Sequence, residues 1–237
     1  MNIAVLFAGG VGARMGGDIP KQFLEWNGKT ILIQTIEAFE KHDMIDGIML
    51  ACKAEWIDFT SKLIEKAGIK KVIDIVPGGS TALDSQYNAL KRIRELYSND
   101  NPIVLIHDGV RPLVDANTIT NCILCTENKG NAITVTQAIE TVIRIGKNNK
   151  IVQILDRNDC RMAKAPQAFR LNDILNAHEK SIKEGNHAYI DSASMMIAQG
   201  VELYTVLGKP ENIKITTPSD YYMYYGIVNS SNQSEGV

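Results

Sequence analysis

Short apolar runs rich in β-branched residues alternate along the chain with longer segments in which apolar residues recur every three or four positions. This alternation is typical of a parallel β-sheet covered by helices. We therefore predict an α/β fold with a Rossmann-like, mostly parallel sheet and helices on both faces. The predicted strands span residues 3–8, 47–51, 71–76, 103–107, 132–135, 202–206 and 213–215. The predicted helices carry Leu32, Ile36 and Phe39; Trp56, Phe59 and Leu63; and Leu83, Tyr87, Leu90 and Ile93.

Residues 137–157 break this alternation. Two alternating runs flank the turn-forming sequence GKNN, which is a hairpin signal. A hairpin inserted into an α/β sheet has no obvious core of its own, so it either packs on the parent sheet or reaches a second subunit. Its predicted apolar face consists of Ile139, Val142 and Ile145 on one strand and Ile151, Gln153 and Leu155 on the other.

The end of the chain predicts a capped helix followed by a tail. Thr217 suits the capping position and Pro218 the first helical position. We interpret the tyrosines of this helix as packing residues, because no basic residues are interleaved with them. We predict a single domain over residues 1–228, with a hairpin arm at about 137–157, and a flexible polar tail at 229–237.

Composition excludes several classes of function. The chain has 237 residues, 45% of them hydrophobic, and a net charge of -2, so nothing draws it globally to nucleic acid or anionic membrane. It has no apolar run of about 18 residues, the length of a membrane span. The first strand begins at once, which leaves no room for a signal peptide, and we expect a cytoplasmic protein. Cys122 and Cys125 form a CxxC pair, but they share a helical face with Ile119 and Ile123, which favours packing over a metal or redox site.

The glycine-rich stretch LFAGGVGARMGGDIPKQF, residues 6–23, matches neither common phosphate-binding fingerprint. The dinucleotide pattern GxGxxG fails because Met15 occupies the place of its third glycine. The mononucleotide P-loop also fails, because Phe23 stands where a loop ending at Lys29 and Thr30 would need its first glycine. A nicotinamide oxidoreductase is therefore disfavoured.

Charged and glycine-rich segments follow several of the predicted strands. In an open parallel sheet, ligands bind at the carboxyl ends of the strands, so we expect these segments to converge. Glycine turns let backbone N–H groups approach phosphates, and Arg14 and Lys21 can neutralise a triphosphate. Asp108 suits a Mg²⁺ ligand. Taken singly, each of these residues is also compatible with a turn, a cap or a solvated surface.

Separated motifs in a fixed order give the chain a resemblance to one family. They are AGGVGARMGGDIPKQF, PGGSTALDS, HDGVRP, ETVIR, ILDR, APQAF, IDSAS and NIKITTPSD. With them, nearly the whole chain resembles the cytidylyltransferases that make CDP-alditols from CTP and a sugar-alcohol phosphate. These are the 2-C-methyl-D-erythritol 4-phosphate and D-ribitol-5-phosphate cytidylyltransferases.

The resemblance implies roles for individual residues, a Mg²⁺ cofactor and a homodimer. Catalytic positions would be Arg14, Lys21 and Lys214, and Asp108 would bind the metal. Thr141 and Arg157 would lie on an arm that reaches into the partner's active site. The implied nucleotide-binding residues are Ala8, Gly9, Gly10, Gly12, Pro77, Gly78, Gly79 and Ser85, and the implied residues for the second substrate are Asp108, Arg111, Thr141 and Arg157.

The implied reaction is in-line attack of the alditol phosphate on the α-phosphorus of CTP, with loss of pyrophosphate. HDGVRP, ETVIR and NIKITTP favour ribitol 5-phosphate, and the methylerythritol substrate is the alternative. The chain departs from the family at Ala82, where an arginine is common near CTP. That departure motivates a further alternative, a nucleotide-binding regulatory protein with weakened activity.

Overall fold

A seven-stranded, mostly parallel sheet forms the centre of the molecule. The structure is a computed structural model that describes residues 1–9, 19–186 and 188–234. In spatial order the strands are β11, β7, β10, β6, β1, β4 and β5, and only β10 runs antiparallel to its neighbours. Their bounds are β1 Asn2–Ala8, β4 Gly47–Cys52, β5 Val72–Pro77, β6 Ile103–Asp108, β7 Asn131–Gln137, β10 Arg161–Arg170 and β11 Thr205–Leu207.

Two small antiparallel sheets and seven helices complete the described part of the chain. One small sheet pairs β2 Glu25–Trp26 with β3 Lys29–Thr30, and the other pairs β8 Ile143–Ile145 with β9 Ile151–Ile154. The helices are α1 Ile31–Glu40, α2 Ile57–Ala67, α3 Ala82–Leu96, α4 Ala116–Lys129, α5 Leu171–Lys183, α6 Ser192–Ala198 and α7 Pro218–Ser234. None of these helices is long and apolar enough to cross a membrane.

The sheet is buried on both faces, as the continuous apolar strands predict. Leu6 of β1 belongs to the core cluster that includes Leu32 and Phe39 of α1 and residues of α4. Val5, one position earlier, belongs to the opposite cluster with residues of α3, α5 and α6. Successive side chains of a strand point to opposite faces, so β1 contributes to both cores. The predicted α/β architecture is confirmed.

Two strand predictions near the sheet edge need correction. Residues 202–206 were expected to form a strand, but β11 starts only at Thr205. Residues 213–215 do not form a strand: Ile215 is fully buried against Val110 and Tyr224, and its N–H donates to the Val110 carbonyl. The apolar pattern of this segment therefore reflects packing beneath α7 rather than pairing in a sheet.

The predicted hairpin exists, and its exposed apolar residues match the predicted face in part: Ile139, Ile145 and Ile151 are exposed as expected. Ile143 pairs with Ile154, and Ile145 with Ile151, across β8 and β9. These four isoleucines are exposed, together with Val152, whereas Val142 and Leu155 are half-buried. The pairing shifts by one residue between Arg144 and Ile145, which leaves Val152 as an extra residue on β9 and adds it to the exposed set.

The C-terminal helix begins as predicted but continues further than expected. The Thr217 side chain accepts a hydrogen bond from the Asp220 N–H, and Pro218 is the first helical residue. Tyr224 is fully buried, which confirms a packing role for one of the tyrosines. The helix runs to Ser234 and therefore continues into the stretch 229–237 that was expected to be a tail.

Adjacent residues of α4 test the packing of the sheet. Ile123 is fully buried, whereas Leu124 is 43% exposed. Ile123→Ala should lower the free energy of unfolding by about 2–5 kcal/mol, because it removes core contacts and leaves a cavity. Leu124→Ala is the matched control and should change it by about 0.5 kcal/mol or less. Denaturant unfolding curves give both values, and equal losses would contradict the assignment of the buried face.

Candidate active site

A cavity of about 430 Å³ lies at the carboxyl ends of the central strands. It is lined from β1 by Ala8 and Gly9, from β6 by Asp108, and from the turn after β5 by Gly79. The complete lining among described residues is Phe7, Ala8, Gly9, Lys21, Gln22, Lys53, Gly79, Ser80, Thr81, Ala82, Ser85, Asp108, Val110 and Lys214. The expected convergence of these segments is therefore present.

Another cavity, of about 480 Å³, lies where β7 begins, at the amino-terminal end of a parallel strand. Its lining includes Lys129, Asn131 and Tyr204. The carboxyl ends of strands are where α/β sheets bind ligands, so its position disfavours this larger cavity as the active site.

The glycine turn after β5 is held in a fixed shape by the start of α3. The Thr81 side chain accepts a hydrogen bond from the Asp84 N–H, and the Asp84 carboxylate accepts one from the Thr81 N–H. A Cβ atom on Gly79 would lie 2.2 Å from the Cβ of Asp84, so this position requires glycine. The Gly79 N–H donates to the Ser85 hydroxyl, which in turn donates to the Thr81 carbonyl.

Asp108 is the charged centre of the cavity. One carboxylate oxygen lies 2.6 Å from Nε of Arg111, and the other lies 2.5 Å from Nζ of Lys214. Burial raises the pKa of this carboxyl, but the two cations outweigh burial and hold the pKa below the usual value for Asp. The Asp108 carboxyl group is therefore ionised, and the positive charges of Arg111 and Lys214 balance its negative charge.

The segment before Lys214 is attached to the sheet through backbone carbonyls. Arg111 donates from Nη1 to the Asn212 carbonyl at 2.9 Å, and Lys164 donates to the same carbonyl at 3.3 Å. The fully buried Asn212 side chain donates to the Ala165 carbonyl at 2.6 Å. These bonds fix the position from which Lys214 reaches Asp108.

His107, which directly precedes Asp108, is a buried neutral imidazole. Burial lowers the pKa of His107 to about 4. Its Nε2 lies 3.1 Å from the Arg111 carbonyl, so a neutral ring with the proton on Nε2 donates to that carbonyl. This bond holds the turn from Asp108 to Arg111.

Gln22 and Lys53 are among the lining residues that were not predicted from the sequence. Gln22 is buried, and its amide donates to the Ala8 carbonyl at 3.0 Å, which joins the short helix Lys21–Phe23 to the end of β1. Lys53 follows β4 directly and lines the same cavity. The position of Lys53 shortly after a predicted strand could have indicated a site residue. It was not selected because the residues next to it, Cys52 and Ala54, are neither glycine nor charged.

Some predicted site residues lie outside the described part of the chain, and others line a different cavity. Arg14, Gly10 and Gly12 lie outside the described residues. Arg157 lines a separate cavity of about 360 Å³ beside the hairpin, with Gln137, Ala138, Ile139, Asn158 and Arg161. The Arg157 Nη1 donates to the Ile139 carbonyl at 2.9 Å. Thr141, which closely follows Ile139 in the sequence, is exposed. Within one described chain, Arg157 and Thr141 do not line the strand-end cavity.

A family model described as "2-C-methyl-D-erythritol 4-phosphate cytidylyltransferase" (IspD) matches residues 2–230. The chain belongs to this family. It is accordingly a nucleotidyltransferase enzyme of the cytidylyltransferase type.

Named relatives include two kinds of cytidylyltransferase. A ribitol-5-phosphate cytidylyltransferase of Vibrio parahaemolyticus is 41% identical over 231 residues, with 97% of each chain covered. A 2-C-methyl-D-erythritol 4-phosphate cytidylyltransferase of Clostridium botulinum (strain Langeland) is 37% identical over 219 residues, covering 92% of this chain and 93% of the relative.

Solved structures share the fold over nearly the full length. A 4-diphosphocytidyl-2C-methyl-D-erythritol synthase from Anaerococcus prevotii superimposes with a TM-score of 0.83 at 25% identity, covering 96% of each chain. The 2-C-methyl-D-erythritol 4-phosphate cytidylyltransferase of Francisella tularensis gives 0.74 at 31% identity, covering 95% of this chain and 97% of that one.

The buried histidine gives the site a testable pH dependence. The pKa of His107 lies near 4 in the folded chain and near 6.5 when the ring is solvated. Between these values the unfolded chain binds a proton that the folded chain does not, so the free energy of unfolding should fall as pH falls through this window. In His107→Gln that pH dependence should be smaller.

Urea unfolding measured from about pH 8 to about pH 4 checks this prediction. His178 has a pKa lowered to about 4 for the same reason, burial, so part of the dependence should persist in His107→Gln. A variant with the full pH dependence of the native chain would contradict the assignment of His107 as a buried neutral group.

Proposed function

We propose that the enzyme joins CTP and D-ribitol 5-phosphate to give CDP-ribitol and pyrophosphate. The observation that carries this proposal is the strand-end cavity, where Lys21 and Lys214 face a turn built around Gly79. The choice of substrate is supported by the 41% identical ribitol-5-phosphate cytidylyltransferases and by the HDGVRP and NIKITTP motifs. The methylerythritol substrate, supported by the 37% identical relatives, is the second candidate.

The nucleotide would bind at the glycine-rich ends of β1 and β5. Backbone N–H groups in such turns reach phosphate and nucleoside oxygens that a side chain would block. Gly79 lines the cavity without a side chain, and because its N–H already donates to the Ser85 hydroxyl, its contribution would be an open wall for the nucleotide. The proposed contact residues are Ala8, Gly9, Gly10, Gly12, Pro77, Gly78, Gly79 and Ser85.

The reaction would proceed by in-line attack of the alditol phosphate on the α-phosphorus. Negative charge then spreads over the phosphate oxygens, and Arg14, Lys21 and Lys214 would stabilise it. Such catalysis rests on positioning and charge, so no covalent enzyme intermediate is required. Loss of one preorganised electrostatic group typically costs a factor of about 10²–10³ in turnover.

A Mg²⁺ cofactor fits this donor set. Asp108 is the one carboxylate among the described lining residues, and Mg²⁺ commonly uses one or two carboxylates together with substrate phosphates. The described residues hold no cluster of three or more His, Cys, Asp or Glu, so a metal bound by protein alone is not expected there. The ion would add charge neutralisation at the phosphates. In the structure Lys214 occupies one Asp108 oxygen, and it would have to yield that oxygen.

The alditol phosphate would be held by Asp108, Arg111, Thr141 and Arg157. Arg111 already uses Nε and Nη1 within the protein, which leaves Nη2 for a substrate oxygen. Thr141 and Arg157 belong to the hairpin region and would serve the partner's cavity in a homodimer. The exposed isoleucines of β8 and β9 support this arrangement, because two-fold pairing of identical arms would cover them.

A substrate panel tests the proposed function. The purified chain is incubated with Mg²⁺, CTP and either D-ribitol 5-phosphate or 2-C-methyl-D-erythritol 4-phosphate, and pyrophosphate release is measured. We expect kcat/KM to be higher with ribitol 5-phosphate. Excess chelator in the same assay should abolish turnover. Full activity in excess chelator would contradict the proposed requirement for Mg²⁺. CTP binding without turnover on either substrate would favour the regulatory alternative.

Subunit mixing tests the shared site. Lys21→Ala and Arg157→Ala chains should each lose at least about a hundredfold in turnover alone. In an equimolar mixture, half of the dimers are mixed, and one of their two pockets has both residues intact. Activity should therefore recover to about a quarter of the native value. If the subunits demonstrably exchange and nothing is recovered, each site is built from one chain.

A further inference from the structure

Lys53 stands between the two glycine turns of the candidate active site. Along the sheet, Ala8 pairs with Cys52, and Cys52 pairs with Pro77. The Gly78 N–H donates to the Cys52 carbonyl at 2.7 Å, which ties the turn after β5 to the residue before Lys53. Gly9 after β1, Lys53 after β4 and Gly79 in the turn after β5 all line the cavity at this edge.

We propose that Lys53 binds the nucleotide through its ammonium group. This inference rests on the proposed function and adds a residue to its nucleotide site. The wall formed by the turn after β5 and the start of α3 presents Gly79, Ser80, Thr81 and Ala82 to the cavity, all uncharged. Lys53 is a third cation in the described lining, beside Lys21 and Lys214, and it follows β4, the strand paired with β5. A nucleotide in this cavity offers several acceptor oxygens.

The existing partner of Lys53 does not hold it away from a ligand. Its Nζ lies 3.5 Å from a carboxylate oxygen of Glu55, and the Glu55 side chain is 66% exposed. Exposed ion pairs of this kind contribute about 0–1 kcal/mol. A charge-assisted hydrogen bond to a nucleotide is stronger than such a pair. The ammonium group is therefore free to exchange its partner when the cavity fills.

The distance from the reacting phosphorus determines which kinetic parameter Lys53 should affect. Asp108 lies at the end of β6, and β1 separates β6 from β4. Neighbouring strands are about 4.8 Å apart, so Lys53 starts about 10 Å from Asp108 across the sheet. Asp108 and Lys214 mark the reacting end of the cavity in the proposed function, so a contact made from the end of β4 is expected to be equally strong in the ground state and in the transition state. Such uniform binding lowers KM and leaves kcat unchanged.

Calorimetric titration with CTP, combined with steady-state kinetics, tests the proposal. Lys53→Ala should weaken CTP binding about tenfold, the usual scale for losing one hydrogen bond from a charged group. The KM for CTP should rise by the same factor, while kcat and the KM for the alditol phosphate stay within about twofold. Lys53→Arg should retain most of the affinity. CMP provides a further arm: an equal loss for CMP and CTP places the contact on the nucleoside or α-phosphate, and a loss for CTP alone places it on the outer phosphates.

Glu55→Ala is the matched control, because it removes the ion pair and keeps the ammonium group. It should bind CTP at least as tightly as the native chain. The proposal is overturned if Lys53→Ala binds CTP normally, if both variants lose affinity equally, or if Lys53→Ala lowers kcat at unchanged affinity. A native chain that does not bind CTP would instead remove the proposed function, and the role of Lys53 with it.

Discussion

The buried carboxylate of Asp108 is the constraint on which the candidate active site depends. A carboxylate at the end of a central strand is stable there only if opposite charges and hydrogen bonds replace water. Arg111 and Lys214 supply them at 2.6 and 2.5 Å. Removing Arg111, whose side chain is 12% exposed, is expected to cost about 3–5 kcal/mol, because the Asp108 charge stays buried with less compensation. Lys214 is 43% exposed, so its loss is expected to cost less. Asp108 thereby joins the turn after β6, which carries Arg111, to the distant segment that carries Lys214.

This constraint explains why the segment before α7 is ordered without being a strand. Residues 213–215 have a strand-like apolar pattern, but Asn212 and Lys214 are committed to polar contacts with Arg111, Ala165 and Asp108. Their neighbours then fill the space between Val110 and α7. Hydrophobic alternation indicates which side chains are buried, and it does not reveal whether the backbone pairs with a strand or follows a buried charge.

The sequence predicted most of the parallel part of the sheet, because these strands are short, mainly apolar runs. It did not predict β10, whose sequence RMAKAPQAFR contains Pro166 and no β-branched residue. A proline inside a run argues against a strand, but here it falls where the pairing of β10 with β7 shifts register between Ala163 and Gln167. The position of β10 between β6 and β7 is decided by burial, since Ala168 and Phe169 are fully buried.

The candidate site was predictable to the extent that its residues follow strands. Asp108, Gly79 and Ser85 could be placed at one edge from the order of elements, and the structure places them there. Gln22 was missed because a lone buried amide has no periodic signature: only the fold shows that it bonds the Ala8 carbonyl. The hairpin residues could not be assigned to a cavity from spacing either, because a shared site depends on a second chain.

In the proposed reaction, the Lys214 ammonium group would interact with two anions, the Asp108 carboxylate and the nucleotide phosphates. In the structure its ammonium group neutralises Asp108, and a triphosphate in the same cavity would compete for that charge. If the ammonium moves towards the phosphates, one Asp108 oxygen loses its partner in a buried setting, which is costly unless another cation takes the place. A divalent cation that enters with the nucleotide meets this requirement. Nucleotide and metal would then favour each other's binding, and by linkage the coupling must be equal in both directions.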